Sequence, residues 1–338
     1  MTREIGVGII GTGFMGKAHA FAYRAVSGIF PPELRPVLEI VADNDREAGA
    51  RAHRQLGFKR VTEDWRELVA DPAIGIGRDM MEAAEAAGVV TQVGYNYIKN
   101  PLLALARDMI AAGELGDITG FRGIHAEDYM ADPQVPWSWR VDPRGGGGAI
   151  ADLGSHIIGM ARFLIGPIAE VFAELETVVK SRQVTQGSAE RRAVDVDDVA
   201  RLIVRFARGC GGSIEANWVA TGRKMQLGFE VSGSKGALVF TQERFNELLH
   251  CRTGGDPRHA GFTRIEAGPA HAPYGLFCVA PGHQLGFNDL KTIEVADFLA
   301  AIDGGSRKGP DFREAWEIQK TIDTAISSAK ARAWQPIR

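Results

Sequence analysis

Gly11-Thr12-Gly13-Phe14-Met15-Gly16 follows the apolar run Glu4-Ile5-Gly6-Val7-Gly8-Ile9-Ile10 and leads into a helix-like stretch from Lys17. Strand, glycine turn and helix in that order form the opening of a dinucleotide-binding βαβ unit. Gly11 permits the tight turn, Gly13 lets the backbone approach a pyrophosphate, and Gly16 lets the helix pack closely on the strand. The N–H groups around Thr12, Phe14 and Met15 then face the phosphates at the helix N-terminus. A glycine-rich turn alone is a weak sign; its place after a first strand gives it weight.

A second mark is Asp43, at the end of Val37-Leu38-Glu39-Ile40-Val41-Ala42, where a second parallel strand presents a carboxylate to the adenosine ribose. An acid there, with Asn44 beside it, favours NAD, while Arg46 leaves room for the 2′-phosphate of NADP. The spacing from Gly16 exceeds the usual stretch of about 20 residues. Residues Gly28 to Pro36, with prolines at 31, 32 and 36, therefore read as an inserted loop. The plainer role for Asp43 is to cap a helix that starts near Arg46.

Helical periodicity continues over Asp45 to Leu56, Asp64 to Val69 and Arg78 to Ala87, before a strand from Val89 to Gly94. This βα alternation predicts an N-terminal Rossmann domain over 1–116, with a doubly wound parallel sheet. After Gly116 the pattern changes. Strand-like segments follow at Ile118 to Glu127, Ile168 to Val179, Val199 to Phe206, Gly212 to Trp218, Gln226 to Ser232 and Ala237 to Phe240. Short turns such as Arg208-Gly209 and Ser234-Lys235-Gly236 join several of them, which predicts a large, mainly antiparallel open sheet. The fold class is thus α/β plus α+β, with a substrate-binding and oligomerisation domain over 117–338. Helices are expected at Ile150 to Leu164, Asn288 to Ile302 and Phe312 to Ala331, the last packing back on the first domain. Val184 to Val194 reads as an exposed loop, and Arg144-Gly145-Gly146-Gly147-Gly148 as a mobile turn.

Composition excludes other classes. The 338 residues exceed what one core usually organises, and 45% hydrophobic with 24% charged residues is the balance of a soluble enzyme. A net charge of -3 without a basic stripe argues against nucleic acid as a partner. Cys210, Cys251 and Cys278 are too few and too scattered for a disulfide framework, so a reducing cytoplasm is expected. The start is too short and Gly-rich for a signal peptide or membrane span, so neither export nor membrane insertion is expected.

Asp152 and His156 lie four residues apart on the helix from Ile150, so both project from one face, beside the stripe of Leu153, Ile157, Met160 and Leu164. Oxidation of a secondary alcohol needs a base for the hydroxyl proton as hydride leaves carbon, and histidine titrates in the useful range. His156 is the candidate base, with Asp152 holding a substrate hydroxyl or the imidazolium. Spacing alone allows equally an ion pair on the helix surface. A metal-dependent alcohol dehydrogenase is disfavoured, because no further ligands stand at recognisable spacing.

Several motifs occur in a telling order: the glycine turn with His19, then Val93-Gly94-Tyr95-Asn96-Tyr97, Asn100-Pro101, Gly113-Glu114-Leu115-Gly116 and Gly146-Gly147-Gly148-Ala149-Ile150-Ala151-Asp152-Leu153-Gly154-Ser155-His156. Val231-Ser232-Gly233-Ser234-Lys235-Gly236 and Phe312 to Trp334 follow. Over nearly its whole length the chain resembles the Gfo/Idh/MocA family of glucose-fructose oxidoreductase and inositol dehydrogenase. The resemblance implies an NAD(P)-dependent sugar or cyclitol dehydrogenase, and the open sheet of the second domain, whose uncovered apolar face would invite association, predicts a homodimer or homotetramer. The resemblance places Asp152 and His156 at the substrate beside the nicotinamide, and adds Asn96, Tyr97 and His283 to the pocket. Trp139 and Arg140, in Trp137-Ser138-Trp139-Arg140, offer a ring face and a guanidinium of the kind that line carbohydrate pockets.

One departure stands out. The family's Glu-Lys-Pro motif, whose lysine sits near the nicotinamide, is not found; Asp71-Pro72-Ala73-Ile74-Gly75 runs directly into Ile76-Gly77-Arg78-Asp79, and Lys99 stands in a different context. A βαβ unit needs roughly 30 residues or more, so more than a loop is missing. Either residues between Gly75 and Ile76 are left out of the sequence as read, or the covalent chain lacks them. The first is favoured, because loss of central strands would expose unpaired backbone. The missing lysine also keeps open a protein of the same fold that binds the dinucleotide as a regulatory ligand without catalysis.

Overall fold

β1 (Arg3–Ile10) and β2 (Leu34–Ala42) pair in parallel, and β3 (Arg60–Thr62) adds beside β2, giving the order β1-β2-β3. The computed structural model describes residues 3–30, 34–64, 78–143, 147–306 and 309–338. The expected helix over 64–69 falls largely outside them, and so does the Gly75–Ile76 junction.

The chain forms two compact units, Met1–Pro101 with Gly268–Trp316, and Leu102–Ala267 with Glu317–Arg338. These units divide the chain differently from the expected 1–116 and 117–338.

In the first unit, α1 (Phe14–Ile29) buries Ala18, Ala20, Ala22 and Val26, small side chains at helical spacing that bring its axis close to the strands. Ala20 packs with Val7, Ile9, Leu38, Val41 and Phe58 into one core. α2 (Arg46–Leu56) starts at Asp45, whose carboxylate accepts from the N–H groups of Glu47 and Ala48, and stops at Gly57 with a left-handed φ of 73°. Of the insert expected over Gly28 to Pro36, residues 31–33 lie outside the described residues, and those on either side are mostly regular structure. α1 runs to Ile29 and β2 starts at Leu34, so a long helix and a long strand account for the wide spacing to Asp43.

α3 (Arg78–Ala87) matches its expected span. The strand expected over Val89 to Gly94 does not form: Val93 N–H donates to the Pro310 carbonyl and Gln92 Nε2 to that of Glu294. These contacts replace a ladder, without which an apolar run is no strand. α4 (Pro101–Ala111) begins at the end of this unit.

In the second unit β4 (Ile118–Ala126), β5 (Ile168–Glu176), β8 (Val199–Phe206), β9 (Gly211–Asn217), β10 (Gln226–Gly233), β11 (Gly236–Thr241), β12 (Glu247–Arg252), β13 (Thr263–Glu266) and β14 (Gln335–Pro336) form a nine-stranded sheet. Its order is β13-β12-β11-β10-β4-β9-β8-β5-β14, and β4 with β9 is its parallel pair. β6 (Ser181–Gln183) and β7 (Arg191–Ala193) make a small hairpin within the region expected to be a loop. α5 (Ser155–Ile165) covers one face of the large sheet. It comes close at Gly123, where a Cβ would stand 2.8 Å from Ile157. α6 (Tyr274–Phe277) and α7 (Phe287–Ile302) belong to the first unit, where Val295 and Leu299 pack on Ala22, Val26 and Leu34. α8 (Phe312–Ala331) spans its predicted residues and presses Ile318 toward Gly159 of α5.

The other sheet face is open, and apolar groups such as Ile124, Phe172, Ile203 and Phe229 line it together with ion pairs. Arg201 pairs with Glu176 at 3.1 Å and Arg122 with Glu230 at 3.8 Å among exposed apolar groups such as Ile203. Among the described residues no helix is long and apolar enough to cross a membrane.

Candidate active site

The glycine turn is fixed by its backbone and by one carboxylate. Gly11 has φ 87° and donates its N–H to the Ala42 carbonyl at 2.8 Å. A Cβ on Gly16 would overlap the Gly11 carbonyl oxygen, so helix and turn meet there only through glycine. Asp43 Oδ2 accepts from Thr12 N–H at 2.8 Å and Thr12 Oγ1 at 2.5 Å, while Oδ1 accepts from Asp45 N–H at 2.9 Å. The cap of α2 is thus Asp45, and Asp43 holds the turn. Partial burial would raise the Asp43 carboxyl, but the hydrogen bonds from Thr12 and the Asp45 backbone outweigh it and hold the carboxyl below its ordinary range.

These residues fit a dinucleotide. α1 has Gly13 at its N-cap with no side-chain cap, and the space beside Gly11 and Gly13 is open where a Cβ would stand. Uncapped N–H groups over open space can receive a pyrophosphate, and Asp43, flanked by exposed Asn44, can accept from ribose hydroxyls. Phe14 is 70% exposed and Met15 is also exposed. Phe287 links Phe14 at 5.4 Å to Tyr97 at 6.1 Å between ring centroids, an aromatic row beside the turn. Asn96 is buried, and its Nδ2 has no hydrogen-bond partner among the described residues.

Behind the turn lie buried charges. Lys291 is fully buried and bonds Glu294 at 2.8 Å, and Lys99 bonds Asp297 at 2.7 Å. Burial, and then the Lys291 charge, pushes His19 down to about 4, so this histidine is neutral at physiological pH. Lys99 is thereby engaged in a structural pair.

In the second unit the helix carrying Asp152 and His156 opens with a π-helical turn, Ile150–Gly154, and continues as α5. Such wide turns recur at functional sites. The Asp197 carboxylate accepts from Ile150 N–H at 2.8 Å, and a Cβ on Gly148 would collide with that carboxylate. The described end of the glycine run is therefore packed against Asp197 instead of being a mobile turn; residues 144–146 lie outside the described residues. Asp152 Oδ2 accepts from Tyr129 Oη at 2.6 Å and from Arg140 Nε at 3.2 Å. Burial and the adjacent Asp152 carboxylate drive the Tyr129 phenol far up, which keeps it a donor. His156 stands edge to face with His125, ring centroids 5.7 Å apart. Arg140 lies over the exposed ring of Trp139 at 4.7 Å, and Arg192 over Trp137 at 3.7 Å.

The structure thus groups Gly11 to Gly16 with Asp43, Tyr97 with Phe14 through Phe287, and Asp152 with Arg140. His283 is exposed in the turn after Pro281. Sequence reasoning missed Phe287, Tyr129 and His125. For His125 and Tyr129 the signal was the alternation His125, Glu127, Tyr129 at and just past the end of a predicted strand, polar residues of one parity where a buried face is expected.

Comparison with known proteins bears on the family and the fold. The sequence profile of the GFO/IDH/MocA C-terminal domain matches residues 103–239. Levoglucosan dehydrogenase of Pseudarthrobacter phenanthrenivorans is 33% identical, with 98% of each chain covered. That alignment runs over 383 positions, more than the 338 residues here, so the relative carries residues with no counterpart in this chain. The structure of levoglucosan dehydrogenase in complex with NADH and levoglucosan superposes with a TM-score of 0.92 at 33% identity, covering 99% of this chain and 100% of that one. An NAD binding oxidoreductase from Klebsiella pneumoniae gives 0.91 at 35% identity, covering 99% of both chains.

Proposed function

The chain belongs to the GFO/IDH/MocA family and is an NAD-dependent dehydrogenase of CH–OH groups, and from that premise we propose that it oxidises a secondary hydroxyl of a sugar or cyclitol with His156 as general base. The observation that carries this reading is the polar cluster at the Ile150–Gly154 turn. There Asp152 is held by two donors one turn before His156.

Bound NAD supplies the hydride acceptor. Gly11 to Gly16 would hold its pyrophosphate, and Asp43, kept ionised, its adenosine ribose, a charge that disfavours a 2′-phosphate. His156 takes the proton of the reacting hydroxyl. Asp152, fixed by Tyr129 and Arg140, accepts from a neighbouring hydroxyl and so orients the ring. Trp139 offers an exposed face to the C–H surface of the sugar. In the first unit Asn96, with its unused amide donor, Tyr97 and exposed His283 are further candidates for substrate contact. The open face of the nine-stranded sheet, with its mixed charges and apolar groups, carries association into a dimer or tetramer, and light scattering that finds only monomers would remove that part.

The direct test incubates the protein with NAD and separately with NADP, across a panel of levoglucosan, aldoses and inositols, and follows absorbance of the reduced nicotinamide. Turnover with NAD on at least one cyclic polyol is expected. NAD binding without turnover on any of them would instead support a regulatory dinucleotide-binding protein.

A further inference from the structure

We propose that Arg182, on β6, is a positioning residue: it clasps the strap 129–140 from within, so that Tyr129 and Arg140 at the two ends of the strap meet on Asp152 and aim its carboxylate at one hydroxyl of the polyol. The proposal rests on the reading of Asp152 above.

Arg182 is fully buried, and its two terminal nitrogens donate to three carbonyls of this one stretch. Nη2 donates to the Met130 carbonyl at 2.7 Å, and Nη1 to those of Asp132 at 3.1 Å and Val135 at 3.4 Å. Gln183 beside it grips the same strap: its Nε2 donates to the Gln134 carbonyl, and its own carbonyl accepts from Trp137 N–H at 2.8 Å. A planar guanidinium spreads its N–H groups in a fixed fork, so carbonyls from three positions converge on it only where the chain curls around it. A chain curled in this way brings its ends together. Tyr129 stands at one end and Arg140 at the other, and both donate to Asp152 Oδ2, at 2.6 and 3.2 Å.

The clasp is itself anchored to the large sheet. Arg182 Nη2 lies 3.9 Å from Oδ1 of fully buried Asp198, just before β8. The same oxygen accepts from Trp218 Nε1 at 2.6 Å, while Oδ2 accepts from the N–H groups of Val178 and Val179. The Trp218 carbonyl accepts from Met130 N–H at 3.1 Å, and its ring stands edge to face with that of Tyr129, centroids 6.2 Å apart. The phenol that bonds Asp152 is thus seated just past the end of β9, and Arg182 holds the strap that returns from it to Arg140. Two donors on one carboxylate oxygen fix the rotation of the group, and with it the direction in which Oδ1 accepts.

The test compares the full-length wild type with Arg182→Lys, which keeps the cation and loses the fork, and with Gln183→Ala, a milder release of the same strap that serves where the first variant does not fold. Crystal structures of the variants should show Tyr129 Oη or Arg140 Nε beyond hydrogen-bond reach of Asp152, with β8 and β9 unmoved. An unmoved strap with both donors still on Asp152 would overturn the proposal, as would disorder spread over the whole second unit. At saturating NAD, with levoglucosan or the aldose or inositol of the panel that the wild type turns over as the varied substrate, kcat/KM in Arg182→Lys should fall by about 10- to 100-fold, the scale of a misplaced orienting group. In an Asp152→Asn background the same substitution should cost less than about twofold, because the carboxylate it serves is already gone. A clasp that only stabilises the fold would cost the same in both backgrounds, and that result also sinks the proposal. If the wild type turns over no member of the panel, the reading of Asp152 fails, while the structures still decide whether Arg182 sets its partners.

Discussion

The glycine turn of the first unit and the π turn of the second both place groups at open space, yet they are built from opposite ends. At Gly11 to Gly16 the backbone makes the site, and Asp43 is the one side chain that locks it. At Ile150 to Gly154 Asp197 and His125 hold the backbone while Tyr129 and Arg140 hold the Asp152 side chain, partners drawn from distant stretches of chain. A cofactor shared by many proteins needs N–H groups in a fixed curve, which local sequence encodes. A particular polyol needs side chains aimed from several directions, and a sheet with a helix across it supplies them.

Substitutions should separate the two regions. His156→Ala is expected to lower kcat by about 100- to 10,000-fold while NAD affinity, read by calorimetry, stays within twofold; an equal loss of both would place His156 outside the proton transfer. Gly16→Ala should do the reverse. Its methyl meets the Gly11 carbonyl, so NAD binding should collapse, with a loss of roughly 1–3 kcal/mol in unfolding free energy. Asp43→Ala should weaken NAD by about tenfold, the worth of one charge-assisted hydrogen bond, and narrow the preference over NADP. Unchanged affinity would mean that the carboxylate serves the turn alone.

The smallest effect concerns Asp197. Burial raises its carboxyl to about 6, so from the ordinary carboxylate range up to that point the unfolded chain has released a proton that the folded chain retains. Stability contributed by this group therefore falls as pH rises through that window. Asp197→Asn keeps an oxygen for the Ile150 N–H and should flatten the slope in urea titrations; a slope equal to wild type would assign it to other groups.

Parts of both regions are legible in the order of the residues alone. Periodicity and glycine-bearing turns mark the spans of α3, α8 and β8 to the residue. The strand expected over Val89 to Gly94 does not form, since an apolar run becomes a strand only where a neighbour offers a ladder, and here Pro310 and Glu294 take the bonds. The end of the insert expected over Gly28 to Pro36 fails for the complementary reason: Pro36 near a strand start looks like part of a loop until its pairing with Ile5 is seen.

The sequence by itself determined the dinucleotide turn, its partner Asp43, the order of most elements and the four-residue spacing of Asp152 and His156, because each depends on residues close along the chain. The tertiary structure alone decided that Asp43 clamps Thr12 while Asp45 caps the helix, and that Asp152 is held by Tyr129 and Arg140. It also decided that a second histidine stands against the first. The contacts of Thr12 with Asp43, of Tyr129 and Arg140 with Asp152, and of His125 with His156 join residues 31, 23, 12 and 31 apart, and loops of that length close only when the surrounding sheets and helices bring them together.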